Sequence, residues 1–368
     1  MAGSSLGTIF RITTWGESHG KGIGVVIDGC PSGLTLSEED IQIFLDRRKP
    51  GQSKFTTKRM EEDRVEILSG IFEGKTTGTP ISLIVYNKDQ HSKDYSNIAS
   101  VYRPGHADYT FDKKYGIRDY RGGGRSSGRE TIGRVAAGAI AIKLLQSLGI
   151  HLFTYTKAIG EIEINYETSD FTKIPDNKLY MPDEEAFKKA EEYLMTLSED
   201  GDSSGGLIEC VVNGMPVGVG EPVFDKLDAN LAKAIMSIGA VKGVEIGDGF
   251  AVSKVKGSDN NDPFTIANGE ITKTTNHAGG TLGGLSDGST IKITAAIKPT
   301  SSIYKEQSTV NKDNEEVKIA IKGRHDPVIV PRAVVVVESM VAITIVDLLL
   351  RGMASKLEHV KIIYEQNN

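Results

Sequence analysis

Residues 280–293 read GTLGGLSDGSTIKI, and residues 70–83 read GIFEGKTTGTPISL. Each stretch is a glycine ladder that runs into a strand of alternating apolar and polar residues. Gly70, Gly74 and Gly78 align without gaps on Gly280, Gly284 and Gly288. Regularly placed glycines mark tight turns, and period-two alternation marks a half-buried strand. The same unit therefore occurs once in each half of the chain.

Two other features recur in the same order. An apolar strand ends in a Gly-x-Pro-x-Gly turn at 25–33 (VVIDGCPSG) and again at 210–218 (CVVNGMPVG). An arginine-bearing loop enters a long apolar helix from Arg125 (RSSGRETIGRVAAGAIAIKLL) and again from Gly323 (GRHDPVIVPRAVVVVESMVAITIVDLL). These repeats point to an internal duplication with halves near 1–150 and 200–355 inside a single domain, 1–368, the halves sharing one core. The charged stretch 160–200 reads as a connector with one amphipathic helix, Asp183 to Ser198. Further helices are expected near 37–48, 128–148, 225–238 and 331–352. Strands are expected at Arg64–Ser69, Ile81–Tyr86, Gly205–Val212 and Ser289–Ile297. Strands and helices do not alternate strictly, which favours an α+β fold with antiparallel sheets over a doubly wound parallel one.

The 368 residues are 39% hydrophobic and 25% charged, with a formal net charge of −6. That is globular composition, and it lacks the basic surplus of a dedicated nucleic-acid binder. Cys30 and Cys210 lie far apart in apolar runs and read as buried thiols, in keeping with a reducing compartment. The first residues, MAGSSLGTIF, do not read as a secretory signal. The most apolar stretch, Ala333 to Leu350, carries Glu338 and Asp347 and reads as a buried helix rather than a membrane span. EGKTTG at 73–78 lacks the spacing of a nucleotide-binding P-loop, no dinucleotide fingerprint is present, and the histidines make no metal cluster by spacing.

The chemistry concentrates in basic loops. In YRGGGRSSGRETIGR (120–134), Ser127 and Glu130 have capping-box spacing, so a helix should start near Gly128. Arg125, Arg129 and Arg134 crowd that start, where cations oppose the helix dipole. Backbone amides, hydroxyls and guanidinium forks together suit an anion. DRRKPGQSK (46–54), KPTSS (298–302) and KGRHDP (322–327) are weaker basic segments, and several in one acidic protein suggest a pocket for a multiply charged anion. His19 in GESHG and His106 in RPGHAD lie in glycine-flanked loops, and beside a phosphate either would be a proton donor. His277 in NHAGG ranks below them.

GESHG (16–20), DRRKPG (46–51), RPGHAD (103–108), RGGGRSS (121–127), NHAGG (276–280), KPTSS (298–302) and GRHDP (323–327) occur in this order in one chain. Together they resemble the chorismate synthase family over residues 7 to about 352. The resemblance implies helices layered between antiparallel sheets and a homotetramer. It implies a cytoplasmic carbon–oxygen lyase that converts 5-enolpyruvylshikimate 3-phosphate to chorismate by 1,4-anti elimination, the last step of the shikimate pathway. Reduced FMN is required without net redox change, with NADPH as the ultimate reductant in some members; this chain reads as the type that does not reduce its own flavin. No nucleic acid, membrane or metal enters the reaction.

Carried over by motif, His19 is the acid at the substrate phosphate. His106 protonates or stabilises the reduced flavin, and Asp326 acts in removing the C6 proton through the flavin. Arg48, Lys54, Arg129 and Arg134 hold substrate anions. Arg125, Ser126, Ser127, Gly239, Ala240, Gly283, Lys298, Pro299, Thr300, Ser301, Ser302 and Arg324 line the FMN site. Three positions depart from the usual pattern: Lys54 stands for an arginine, Gly128 for an alanine and Gly239 for an asparagine. An FMN-binding protein without lyase activity and an RNA-binding arginine-glycine patch are the alternatives.

Overall fold

A computed structural model describes residues 3–49, 62–88, 99–121, 123–321 and 326–365. Two five-stranded antiparallel sheets flank a layer built on the helices Thr131–Ser147 and Val330–Gly352. The first runs in the order Ser5–Leu6, Arg11–Gly16, Gly22–Asp28, Ile81–Tyr86, Val65–Ile67. The second runs in the order Val241–Ile246, Ile291–Ile297, Gly206–Asn213, His151–Ile159, Ile162–Glu163. This is the layered α+β arrangement expected from the sequence.

Helix Thr131–Ser147 packs on the first sheet and helix Val330–Gly352 on the second, and the two pack against each other. They come close because Gly138 faces Ser339: a Cβ on Gly138 would lie 2.2 Å from the Ser339 Cβ. Buried apolar residues from both halves form one cluster, from Phe10 to Leu348. Both glycine ladders fold alike. Residues 71–76 and 281–286 each make a two-residue hairpin, with Gly74 and Gly284 at positive φ (73° and 91°), where glycine carries no Cβ penalty. The stretch that mimics a P-loop is thus a hairpin.

Helix Val330–Gly352 is long and apolar enough to cross a bilayer, but 89% of its most apolar window is buried inside the protein. Its two carboxylates have specific partners. Asp347 Oδ1 accepts from the backbone N–H of Thr8, Ile9 and Phe10 at 2.9, 2.7 and 3.0 Å. Burial raises the Glu338 pKa, and Arg47 lies 2.7 Å away to limit the cost. Cys30 and Cys210 are buried and free.

The helix after the arginine loop begins later than its sequence suggests. Residues 124–126 and 128–130 form 3-10 turns, and the α-helix starts at Thr131. The expected capping box does not close. Ser127 Oγ accepts from the Arg129 amide, whereas the Glu130 carboxylate turns away to take the Thr14 hydroxyl (2.8 Å) and Arg134 Nε (2.8 Å).

Candidate active site

Four element ends meet on one side of the helix layer. Helix Glu38–Arg48 begins with a capping box between Ser37 and Asp40 and ends in Arg47 and Arg48, where cations suit the dipole. Arg48 is only 1% exposed. Burial lowers its pKa to about 10, and the Asp63 carboxylate, with which it forms an ion pair, works against that loss. Asp63 is buried as well, yet its pKa is lowered, because the charges of Arg48 and Arg129 outweigh desolvation. Arg129 Nη1 lies 3.1 Å from Asp63, and its Nε and Nη2 donate to Asn87 Oδ1 at 3.1 and 2.7 Å.

The same Asn87 donates to the carbonyls of Glu17 and Gly20, in the loop that carries His19. His19 is 7% exposed, and the neighbouring Asp119 is held below the usual carboxylate range chiefly by its hydrogen bond to Arg121. On the other flank Arg332 donates Nε to the Arg48 carbonyl at 3.1 Å and Nη1 to the Asp326 carboxylate. Asp326, 7% exposed, thus sits in the same arginine group.

Segment 326–328 leads on to the lysine-serine loop. Ser204 N donates to Pro327 O at 2.8 Å, and Ser203 Oγ donates to Thr300 O at 2.7 Å. Lys298 Nζ donates to Gly105 O at 3.1 Å and contacts Ser301 Oγ, and its own amide donates to Ala240 O. Burial, then the charge of Lys242, lowers the Lys298 pKa. Ala240 adopts φ +73° beside Gly239, and the bond from the Lys298 amide to its carbonyl (2.9 Å) makes the 239–240 turn and the 298–302 loop neighbours.

His106 Nδ1 lies 2.9 Å from Pro104 O and Nε2 2.9 Å from Ser302 Oγ. A carbonyl only accepts, so Nδ1 carries the proton and Nε2 of the neutral ring accepts from Ser302. Burial, followed by the charge of Arg103, lowers the His106 pKa to about 4. Its ground state is neutral, and it stabilises the loop before it can donate a proton. Beside it, Pro104, Gly105, Asp202, Ser203, Thr300 and Ser301 border an open pocket of about 230 Å³. Thr300 Oγ1 is buried with no hydrogen-bond partner among the described residues. The pocket wall thus offers hydroxyls and one carboxylate, Asp202, which Lys305 pairs at 2.9 Å, while Lys298 lies behind the wall on the Gly105 carbonyl.

The sequence-derived residues do not all converge. Arg125 is spent on the first sheet, donating to Gly16 O (3.1 Å), Thr14 O (3.2 Å) and Thr14 Oγ1 (2.7 Å). Ser126 Oγ donates to Gly123 O at 2.8 Å. Arg134 joins Glu130 to Ser237 (Nη1 to Oγ, 2.6 Å), just before Gly239. Gly283 lies apart. Its neighbour Gly284 accepts from Leu227 N at the start of helix Leu227–Met236, while Gly239 follows the end of that helix, ~15 Å along its axis. Lys54 and Arg324 lie outside the described residues. At Gly128 and Gly239 a Cβ would meet nothing within 4 Å, so either departure leaves open space.

Asp63, Asn87 and Arg332 were not among the sequence-derived residues, although they hold the group together. Arg332 had a visible signal: a cation in the first turn of an apolar helix, where it opposes the dipole.

The model of the family described as chorismate synthase matches residues 10–350. This chain belongs to the chorismate synthase family. It is 66% identical over 366 residues to the chorismate synthase of Agathobacter rectalis and 67% identical over 367 residues to that of Lachnoclostridium phytofermentans, with 100% of both chains covered in each case. A crystal structure of chorismate synthase superposes with a TM-score of 0.76 at 33% identity, covering 98% of each chain. The family converts 5-enolpyruvylshikimate 3-phosphate to chorismate with reduced FMN, and this chain is accordingly a lyase of aromatic amino acid biosynthesis. A flavin binder without lyase activity is not favoured.

Proposed function

We propose that phosphate elimination takes place between the His19 loop and Asp326, over the floor made by Arg48 and Arg129. What supports this reading above all is one continuous network: Asn87 joins the His19 loop to Arg129, Asp63 joins Arg129 to Arg48, and Arg332 joins Arg48 to Asp326. A substrate with one phosphate and two carboxylates needs several fixed cations, and guanidinium forks supply them with little reorganisation.

In this proposal Arg48, Arg129 and Arg134, with Lys54, bind the substrate anions. His19 holds a proton at the leaving phosphate, and Asp326 is the final acceptor of the proton from C6. Reduced FMN, when bound, supplies electron density to the breaking C–O bond and recovers it afterwards. Lys298 to Ser302, Gly239, Ala240, Ser126, Ser127 and Arg324 would hold the flavin nucleotide, with Arg125 shaping the site from the first sheet and His106, tied to Pro104 O and Ser302 Oγ, fixing the loop beside it. Gly283 is separated from these residues by the length of a helix, so it would join the site from a second copy, in keeping with a homotetramer. NADPH as the ultimate reductant and a cytoplasmic location complete the reading.

The test is His19→Ala. Turnover should fall by ~10²-fold or more while FMN binding stays near the parent value. Turnover equal to the parent enzyme's would refute the role of His19.

A further inference from the structure

Asn87 follows strand Ile81–Tyr86 and uses both ends of its carboxamide. Nδ2 donates to Glu17 O at 3.0 Å and to Gly20 O at 2.9 Å. Oδ1 accepts from Arg129 Nε at 3.1 Å and Nη2 at 2.7 Å. The chemistry fixes the orientation of the amide: a guanidinium only donates and a carbonyl only accepts, so the two ends cannot be exchanged. Its own backbone N–H donates to Lys21 O at 3.1 Å, which ties strand and loop together from a second side. The Arg129 Nη1 is meanwhile held by Asp63.

We propose that Asn87 is a positioning residue that sets the proton-bearing His19 loop and the anion-binding Arg129 in one fixed register. The proposal rests on the reading of the site given above. Only a carboxamide offers two donors and two acceptor lone pairs on one short planar group. Asn87 does not reach the reacting atoms. It fixes the distance between the group that holds the substrate and the group that protonates the leaving phosphate. A displacement of about 1 Å between such groups costs on the order of 10²-fold in rate.

The two ends can be separated by substitution. Asn87→Asp keeps an acceptor for Arg129 but loses both donations to the loop. Asn87→Leu loses both ends. The experiment measures turnover with chemically reduced FMN and 5-enolpyruvylshikimate 3-phosphate, the substrate dissociation constant and the melting temperature of both variants. For Asn87→Asp the account expects turnover at saturating substrate to fall about 10-fold or more, with substrate affinity within about 3-fold of the parent and an unchanged melting temperature. Asn87→Leu should in addition bind substrate about 10-fold more weakly than Asn87→Asp. Parent-like turnover of Asn87→Asp overturns the proposal. So does a joint loss of turnover, affinity and melting temperature in that variant, which would make Asn87 a purely structural residue. The parent enzyme is the control for the underlying reading: if it releases no chorismate, the functional assignment fails, whereas an active parent matched by Asn87→Asp removes only the role of Asn87.

Discussion

Asp63→Asn isolates what binds the arginine group together. Asn preserves the shape of Asp63 and removes its charge, which leaves Arg48 and Arg129 facing each other in a site where neither is more than 6% exposed. Breaking a buried pair by removing one partner costs about 3–5 kcal/mol. Arg129 keeps Asn87 and Arg48 keeps a long contact to Gly128 O at 3.4 Å, so the lower end, about 3 kcal/mol, is expected. With an unfolding entropy of about 2.1 cal/mol/K per residue over 368 residues, that loss lowers the melting temperature by about 4 °C. The sign with pH follows from the lowered Asp63 pKa. Its contribution is present above the ordinary carboxylate pKa of about 3.9 and is lost as pH falls through the lower folded value, so parent and variant should converge only in strong acid. Calorimetry at neutral pH and again in acid reads both effects, and substrate titration should show weaker binding. A variant that melts within a degree of the parent and binds substrate equally would refute the claim that Asp63 organises the site.

Arg332→Gln should slow turnover about 10-fold or more by removing the ion pair that orients the Asp326 carboxylate, with a smaller effect on KM; unchanged steady-state kinetics would detach Arg332 from the site. Stability should fall as pH drops from ~6.5 toward 4, because the unfolded chain takes up a proton that half-buried His106 refuses, and His106→Gln should flatten that slope by up to about 1.4 kcal/mol per pH unit. Identical urea-unfolding profiles for the parent and His106→Gln across that range would contradict the neutral, half-buried assignment.

The helices were legible wherever apolar periodicity and caps agreed. The helix expected near 37–48 forms as Glu38–Arg48, and the one near 331–352 as Val330–Gly352. The strand at Ile81–Tyr86 forms with the bounds expected. The start of the arginine-loop helix was misread because the spacing of Ser127 and Glu130 says nothing about Thr14, a residue of another element that takes Glu130 away. Arg48, Arg129 and Asp326 were named from basic loops and the family resemblance, and the fold joins them in one network. The residues that join them could not be read the same way. Arg332 meets the Arg48 carbonyl across 284 positions of chain, and Asn87 looks like an ordinary polar residue at a strand end. Long-range hydrogen bonds of this kind leave no local pattern. Arg125 shows the converse: its motif suggested a ligand contact, and the fold gives its guanidinium to backbone carbonyls of the first sheet.

The most direct test of the central claim is anaerobic turnover of the purified chain with chemically reduced FMN and 5-enolpyruvylshikimate 3-phosphate, following chorismate and phosphate together. The account predicts equal release of both products, abolished when the reductant is omitted. Bound FMN with neither product formed would contradict it.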